Sequence, residues 1–354
     1  MNDTGEQEQR QTEIQEEHMN VILLSGGSGK RLWPLSNDVR SKQFLKLFKD
    51  NDGNNESMLQ RVYRQITEID PAANVTIATS RSQAGIIHSQ LGDHVSICVE
   101  PCRRDTFPAI LLAAAYLREE AGLNEDEPVV VCPVDAYVEN SYYKCVRKLE
   151  EAVKQGQANL ILMGIRPTCP SEKYGYIIPE ADGEVSGVKA FREKPDRATA
   201  ELFLKQNALW NAGVFAFKLS YLLEKAHSMV EFTDYRDLYF KYETLPKISF
   251  DYAVVEKEPS IRVVRYSGIW KDVGTWNMVA EVMADDMQGK AVMDEACENT
   301  QIINALDIPV LAIGCKNMVI VASSDGILVS DKVRSGCIKP FVEKIRTEEK
   351  LESE

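Results

Sequence analysis

The chain has 354 residues, 44% hydrophobic and 27% charged, which is ordinary for a globular protein and enough for about two domains. Its formal net charge of −13 at pH 7 argues against broad binding to nucleic acid or to an anionic membrane, because both need a basic surface. The acidic charge is compatible with a phosphorylated small-molecule substrate held by a local cluster of cations. No apolar run reaches the roughly 20 residues that span a bilayer.

The start of the chain is rich in Glu and Gln, and no apolar stretch follows a basic start. Residues 1–18 therefore predict a disordered tail rather than a signal peptide.

The chain has 8 Cys, none of them in a C-x-x-C pair, which indicates neither a disulfide framework nor a zinc site. These features predict reduced thiols and a cytoplasmic protein.

Short apolar, β-branched runs alternate with amphipathic stretches through the first half of the chain. The alternation predicts a doubly wound α/β core, with a mostly parallel sheet and helices on both faces. The predicted strands are 20–24, 75–79, 97–100, 129–133 and 160–164, and the predicted helices are 57–69, 81–91, 106–120 and 141–155.

The pattern changes after about residue 174. Further strands are predicted at 176–179, 185–191, 214–217 and 261–266, and we interpret them as a mixed extension of the same sheet, since no Pro/Gly/Ser-rich linker intervenes. Closely spaced short strands at 300–304, 309–313, 318–322 and 326–329 predict a small β appendage. The expected division is a catalytic domain over 19–288 and a C-terminal β-rich module over 289–354.

The first predicted strand runs directly into a glycine loop that carries two cations. Glycines allow the backbone to approach a ligand closely, and backbone N–H groups in such a turn bind phosphates. Lys30 and Arg31 lie in the loop, and Lys42 follows shortly after it, so the pattern favours a triphosphate over a tight turn with solvated basic residues. Neither the P-loop nor the dinucleotide pattern fits, because Leu24 and Leu32 stand where glycines are required. The predicted loop contacts are Ser25, Gly26, Gly27, Ser28, Gly29 and Lys30.

A series of ordered motifs extends this loop over residues 19–331. They are GGSGKRLWPLS with RSKQFL, EPCRRDTFPAI, CPVDAYV, KYGYI, FREKPD, WNAGVFAF, SFDYAVVEK and WKDVGTW. In this set and order the chain resembles sugar-1-phosphate nucleotidyltransferases, and is most similar to bacterial mannose-1-phosphate guanylyltransferases of the long-chain type. Asp105 and Phe107 stand where that family usually has Asn and Ala. The sequence ends where long members continue into a cupin-like isomerase domain, so isomerase activity is not expected.

The resemblance implies a Mg²⁺-dependent enzyme that forms GDP-mannose and pyrophosphate from GTP and mannose 1-phosphate. The nucleophile is a phosphate that is already largely ionised at pH 7, so no general base is needed, and His18, His88, His94 and His227 all lie outside the motifs. By resemblance the metal ligands are Asp135 and Asp272, the triphosphate contacts are Arg31 and Lys42, and the sugar-phosphate contacts are Gly175, Glu193, Lys194, Asn211 and Gly213. Small molecules are the expected partners, and the sequence leaves the oligomeric state open, with a homodimer as one alternative.

The residues leave several alternatives open. Glu100 or Asp105 could accept the adjacent N–H donors of guanine, with Arg104 nearby, but Asp105 could equally cap the helix that follows it. Trp33 could stack on a ring or pack in the core. Rival functions are the same chemistry with UTP, dTTP or CTP and another hexose 1-phosphate, or a non-catalytic sugar-nucleotide sensor. A sensor should have lost a metal carboxylate or a phosphate lysine, and all are present.

Overall fold

The computed structural model describes residues 18–27, 30–37 and 39–353. The predicted tail lies outside them except for His18, whose Nδ1 lies 3.1 Å from Asp70 Oδ1. The helices are α1 Met58–Ile69, α2 Arg81–Leu91, α3 Thr106–Glu119, α4 Asn140–Lys154, α5 Arg197–Leu204, α6 Leu219–His227, α7 Tyr235–Lys241, α8 Phe250–Ala253, α9 Trp276–Ala280 and α10 Lys339–Ser353. The strands are β1 Asn20–Ser25, β2 Phe48–Lys49, β3 Asn55–Glu56, β4 Asn74–Ser80, β5 Ser96–Glu100, β6 Pro128–Pro133, β7 Ala136–Val138, β8 Leu160–Ile165, β9 Tyr176–Pro179, β10 Val185–Arg192, β11 Leu209–Lys218, β12 Ile261–Tyr266, β13 Trp270–Asp272, β14 Met287–Gln288, β15 Ala291–Met293, β16 Gln301–Asn304, β17 Val310–Ala312, β18 Met318–Ser323 and β19 Gly326–Asp331.

The central sheet has the strand order β5-β4-β1-β6-β11-β8-β12-β10-β9. β5, β4, β1 and β6 are mutually parallel, whereas β11 runs antiparallel to both β6 and β8. Strands in the middle of such a sheet are covered on both faces, which is why β6 and β8 read as continuous apolar runs. The predicted doubly wound, mostly parallel mixed sheet is confirmed.

Two apolar cores lie on opposite faces of the sheet. Alternate residues of β1 show the division, since Val21 and Leu23 face the core with α1 and α4, and Ile22 faces the core with α3, α6, α7 and α8. α3 is apolar around most of its circumference because it is enclosed by the sheet and by α6–α8. α1 begins at Met58, directly after Ser57, which forms a capping box with Gln60.

Two features of the sheet were not predicted. β11 extends five residues before the predicted 214–217 and has a register shift between Asn211 and Phe215, where Gly213 takes a φ of +71°. A short antiparallel ribbon joins β7 to β13 and pairs Asp272 with Ala136. Strands of three residues are too short to give a periodic signal in the sequence. This ribbon nevertheless matters for the site, because it brings the WKDVGTW motif beside Asp135.

The predicted β appendage forms a short parallel coil. β14, β16 and β18 are parallel neighbours, and β15 pairs in parallel with β17 in a second layer. The chain returns to the same strand position from Met287 to Ile302 and then to Ile320, before β19 closes the sheet as an antiparallel hairpin. The first coil strand, β14, precedes the predicted boundary at 289. The unequal turns explain why no repeat was recognised in the sequence.

The appendage is attached to the segment that follows the glycine loop. Trp33 packs on Gly326 so closely that a Cβ added there would lie 2.5 Å from Trp33 Cζ2. Ser323 Oγ donates to the Pro34 carbonyl at 2.9 Å, and Trp276 Nε1 donates to the Trp33 carbonyl at 2.8 Å. Trp33 therefore has the packing role.

Among the described residues, no helix is long and apolar enough to cross a bilayer.

This packing predicts an asymmetry between two glycines of the appendage. Gly326→Ala should lower the free energy of unfolding, because the new methyl group meets the Trp33 ring and the residue has a φ of +141°. Gly314→Ala is the matched control, with a φ of +63° but open space around its Cβ. We expect Gly326→Ala to cost about 1–3 kcal/mol more than the control, the range for an overpacked contact. Equal losses in denaturant titrations of the two variants would contradict close packing of Trp33 on the appendage.

Candidate active site

A cleft of about 390 Å³ opens at the carboxyl ends of β1, β5 and β6. Ligands of open α/β sheets bind at this edge, since the loops that leave parallel strands converge there. Its lining combines glycine backbone, carboxylates and a guanidinium, among them Gly26, Gly27, Glu100, Arg103, Asp105 and Asp135.

The glycine loop presents backbone to this cleft. Ser25 is fully buried and its Oγ accepts from Gln43 Nε2 at 3.4 Å, so its side chain secures the base of the loop. Gly26 and Gly27 are exposed and line the cleft, and the φ of +115° at Gly27 favours glycine. Ser28 and Gly29 lie outside the described residues, as does the side chain of Lys30, and their contacts stay predictions.

The loop is braced by side chains that the motifs did not single out as site residues. The Gly27 carbonyl accepts from Ser41 Oγ at 2.8 Å, from Gln83 Nε2 at 3.3 Å and from Arg103 Nη2 at 3.4 Å. Gln83 is fully buried on α2 and also donates to Ser41 Oγ at 2.7 Å. A glutamine near the start of a predicted helix that follows a strand was the one signal in the sequence, and only the fold shows that it is buried and faces the loop.

A lysine between two aspartates forms the charged centre of the site. Lys42 Nζ lies 3.1 Å from Asp135 Oδ2 and 3.6 Å from Asp272 Oδ1. Burial by itself lowers the pKa of Lys42, but the two carboxylates outweigh it and hold the pKa above its ordinary value. The ammonium is therefore charged, and it joins three residues that are distant in sequence.

Arg31 completes this centre from the other side. A Cβ added to Gly274 would lie 3.5 Å from Arg31 Nη1 and 3.2 Å from Asp272 Oδ1. Both groups thus lie beside the same glycine, whose missing side chain leaves room for them. The structure brings together Arg31, Lys42, Asp135 and Asp272, the four predicted catalytic residues.

The donor set fits a small divalent cation. The described residues contain no group of three or more His, Cys, Asp or Glu able to hold a metal, so the candidate ligands are two carboxylates. Mg²⁺ commonly binds one or two protein carboxylates together with water and substrate phosphates. Asp135 and Asp272 already converge on one cationic atom, which shows that a positive charge is stabilised between them.

Glu100 is the deepest carboxylate in the cleft. Its Oε2 accepts from Tyr242 Oη at 2.9 Å, and burial raises its pKa. Asp105 has a φ of +70°, and its Oδ1 accepts from Thr106 N at 2.8 Å, so it caps α3 while also lining the cleft. Asp105 is therefore both a helix cap and a cleft residue, but its Oδ1 is already occupied by the capping hydrogen bond.

Arg104, predicted to contact the nucleotide, has a different partner in the structure. Its guanidinium donates to the carbonyl of Glu243, and Arg104 is not among the residues that line the cleft. Arg103, its neighbour in the same motif, faces the glycine loop instead. The strained backbone at Asp105 turns the chain sharply here, and nothing in the sequence indicated which arginine would point inward.

The predicted sugar-phosphate residues form a second cluster. A Cβ on Gly175 would lie 2.5 Å from Glu193 Oε2, so only glycine allows this carboxylate to approach the backbone. Glu193 is buried, and Lys194 Nζ lies 2.6 Å from its Oε1. Asn211 Oδ1 accepts from Gly213 N at 3.1 Å within the bulge of β11. This bulge lies next to Pro133, two residues before Asp135, which places the two clusters side by side.

Asp251 joins this cluster and was not predicted. Asn211 Nδ2 donates to Asp251 Oδ1 at 2.7 Å. Burial and the neighbouring Glu193 raise the pKa of Asp251 to about 7. The residue lies in the SFDYAVVEK motif, but a short helix with an aspartate near its start normally indicates only helix capping.

An aromatic wall lies beside the carboxylate pair. The rings of Tyr174 and Trp210 have centroids 4.7 Å apart, and those of Tyr174 and Trp270 are 5.4 Å apart. Burial and then the charge of Asp272 raise the pKa of Tyr174 to about 12, which places this phenol near the charged centre. Trp270 lies on β13, the same strand as Asp272.

The chain is similar to known proteins over most of its length. The sequence model of the family described as nucleotidyl transferase matches residues 20–289. The xanthan biosynthesis protein XanB of Xanthomonas campestris pv. campestris (strain B100) is 34% identical over 352 residues, covering 92% of this chain and 73% of that protein. Mannose-1-phosphate guanylyltransferase of Klebsiella pneumoniae is 32% identical, covering 94% of this chain and 74% of the relative.

A solved structure extends the likeness to the whole fold. The crystal structure described as mannose-1-phosphate geranyltransferase from Thermus thermophilus superposes with a TM-score of 0.77 at 28% identity, covering 93% of this chain and 100% of the other. The loop, the paired aspartates and the second cluster all lie within the span that the family model matches. The chain belongs to the nucleotidyl transferase family, as a sugar-phosphate nucleotidyltransferase.

Proposed function

We propose that the protein transfers the guanylyl group of GTP to mannose 1-phosphate, forming GDP-mannose and releasing pyrophosphate. The observation that carries this is the position of Lys42 Nζ between Asp135 and Asp272, where the nucleotide cleft meets the second cluster. Two anionic substrates brought together at such a point need cations and a metal site. The names of relatives such as the Klebsiella guanylyltransferase support the choice of substrates.

The reaction is an in-line displacement at the α-phosphorus of the triphosphate. A phosphate oxygen of the sugar 1-phosphate forms the new P–O bond, and the bond to the β-phosphate breaks, so that pyrophosphate leaves with the electron pair. The nucleophile is ionised near pH 7 without a base, which agrees with a site built from cations and carboxylates. Catalysis then rests on positioning and on stabilising charge.

Each part of the site has a role in this scheme. Gly26 and Gly27 would approach the triphosphate with backbone N–H groups, and Arg31 and Lys42 would neutralise its charge. Lys194 would hold the sugar phosphate, with Glu193 and Asn211 at the sugar hydroxyls. Asp135 and Asp272 would hold Mg²⁺, which supplies charge neutralisation to bound phosphate oxygens.

Glu100 is the group we assign to the base. A carboxylate can accept from the N1–H and N2–H donors of guanine together, whereas uracil and thymine offer one N–H flanked by carbonyl oxygens. Among the described residues, Tyr242 is the one hydrogen-bond donor to this carboxylate. Asp105 is the lesser candidate, because it caps α3.

Two alternatives remain in view. The same chemistry with UTP, dTTP or CTP and another hexose 1-phosphate uses the same charged centre and differs only at Glu100 and the sugar cluster. A non-catalytic sensor is less favoured, because both lysines and both aspartates are present and lie in contact with partners suited to their roles.

Removal of the metal tests the charged centre. We expect EDTA to abolish pyrophosphate release and excess Mg²⁺ to restore it. Asp135→Asn and Asp272→Asn should each lower kcat by about 10²-fold or more, because a carboxylate of the charged centre is lost. Asp285→Asn is the control, since its carboxylate lies on the surface beside Lys49. Full turnover in EDTA, or losses matched by Asp285→Asn, would overturn the assignment.

The two lysines should differ in their kinetic effect. Lys42→Ala should lower kcat by about 10²–10³-fold, because Lys42 lies where charge develops during transfer. Lys194→Ala should mainly raise KM for the sugar phosphate, because it binds a charge present before and after the reaction. Steady-state kinetics with each substrate varied in turn decide this, and an exchange of the two effects would show that the roles are reversed.

Nucleotide preference tests the base assignment. We expect kcat/KM for GTP with mannose 1-phosphate to exceed the values for UTP, dTTP and CTP, because a site built for hydrogen bonds rejects ligands that leave its groups unpaired. Glu100→Gln should reduce this preference, while Asp126→Asn at the surface should not change it. A preference of the native protein for UTP or dTTP would refute the guanine assignment and leave the transferase chemistry intact.

A further inference from the structure

The amide of Asn211 is held at both ends. Its Oδ1 accepts from Gly213 N at 3.1 Å, and its Nδ2 donates to Asp251 Oδ1 at 2.7 Å. These two bonds select one of the two amide orientations, because the reverse orientation would oppose N–H to N–H and oxygen to oxygen. The remaining N–H and lone pair of Asn211 then point in directions that the protein has set.

Asp251 is itself placed by contacts on the nucleotide side. Phe250 N donates to Thr106 Oγ1 at 2.8 Å, and Phe107 N donates to the Ile248 carbonyl at 3.2 Å. The short helix α8 is thereby tied to the start of α3, where Thr106 lines the nucleotide cleft. Contacts at the nucleotide cleft thus fix α8, and Asp251 on α8 in turn orients Asn211 in the second cluster.

The charges around Asp251 are unbalanced. Glu193 and Lys194 face it from the turn after β10, and Tyr252 lies next to Lys194 from α8. Glu256, on the next turn of the chain, accepts from Glu193 N at 3.0 Å. Lys194 is the cation that offsets both Glu193 and Asp251, so two carboxylates share one ammonium.

We propose that Asp251 is a positioning residue of the sugar-phosphate cluster, where its carboxyl orients the Asn211 amide and shares Lys194 with Glu193. This rests on the proposed function in that the cluster binds a hexose 1-phosphate. Asp251 acts through Asn211 and Lys194, so its loss should affect binding of the sugar phosphate and leave the transfer step and nucleotide binding largely unchanged.

The arrangement gives a pH dependence of defined sign. Burial and Glu193 raise the pKa of Asp251 to about 7, so the group becomes charged as the pH rises through neutrality. The added negative charge competes for Lys194 and repels the incoming phosphate, so KM for the sugar phosphate should rise between pH 6 and pH 8. The effect is limited to about tenfold, the change in ionisation over one pH unit beyond the pKa.

The test compares Asp251→Asn, Asp251→Ala and the surface control Asp126→Asn in the full chain. Asparagine keeps an oxygen that accepts from Asn211 but has no charge, so its KM should match the native value at pH 6 and stay lower than the native value at pH 8. Ionisation of the substrate phosphate is common to all variants and cancels in the ratio. At pH 6, where the native carboxyl is largely neutral, alanine should raise KM for the sugar phosphate about tenfold, the upper range for one hydrogen bond, with kcat and the nucleotide KM within about twofold.

Three results would overturn the proposal: an unchanged KM for the sugar phosphate in Asp251→Ala at pH 6, a rise in the nucleotide KM and a fall in kcat as large as the effect on the sugar phosphate, or a native pH profile in Asp251→Asn. If melting curves show that Asp251→Ala does not fold, the pH profile of Asp251→Asn decides alone. The kinetics use the nucleotide and hexose 1-phosphate that the native protein turns over best. Absence of turnover with GTP and mannose 1-phosphate would therefore refute the proposed function separately from the role of Asp251.

Discussion

The site depends on the contact of one ammonium with two carboxylates. Lys42 comes from the segment after the glycine loop, Asp135 follows a central strand, and Asp272 ends a short ribbon that returns from the far side of the sheet. Two carboxylates beside the same ammonium repel each other, and the positive charge of Lys42 offsets this repulsion. The lysine therefore stabilises the approach of the two carboxylates that we assign to the metal.

The same physical problem recurs in the sugar-phosphate cluster. Glu193 is buried beside Lys194, and burial together with the neighbouring Glu193 raises the pKa of Asp251 to about 7. Here again one lysine faces two carboxylates, but Glu193 is more buried than Asp135 and Asp272. Each half of the site thus holds its carboxylates with a lysine that is also the assigned ligand of a substrate phosphate. Although the chain carries a formal net charge of −13, each half of the site therefore holds a cation at the position assigned to a substrate phosphate.

The glycine loop owes its shape to residues at some distance from it. Ser41, Gln83 and Arg103 hold the Gly27 carbonyl, while Trp33, just beyond the loop, is packed against Gly326 of the appendage. Among the residues that the structure describes, none from the appendage lines the cleft. The appendage supports the site by fixing the segment that lies between the loop and Lys42.

The sequence by itself determined the alternation of strands and helices, the glycine loop and the ordered motifs, because these depend on short-range periodicity and on residue types that few backbone conformations tolerate. It could not determine which groups meet across long separations. The β7–β13 ribbon, the inward side chain at Arg103 rather than Arg104, and the bond between Asp251 and Asn211 each depend on how separate segments pack. Tertiary structure decided these because a side chain's partners follow from the sheet order and from the burial around it, neither of which is encoded in local spacing.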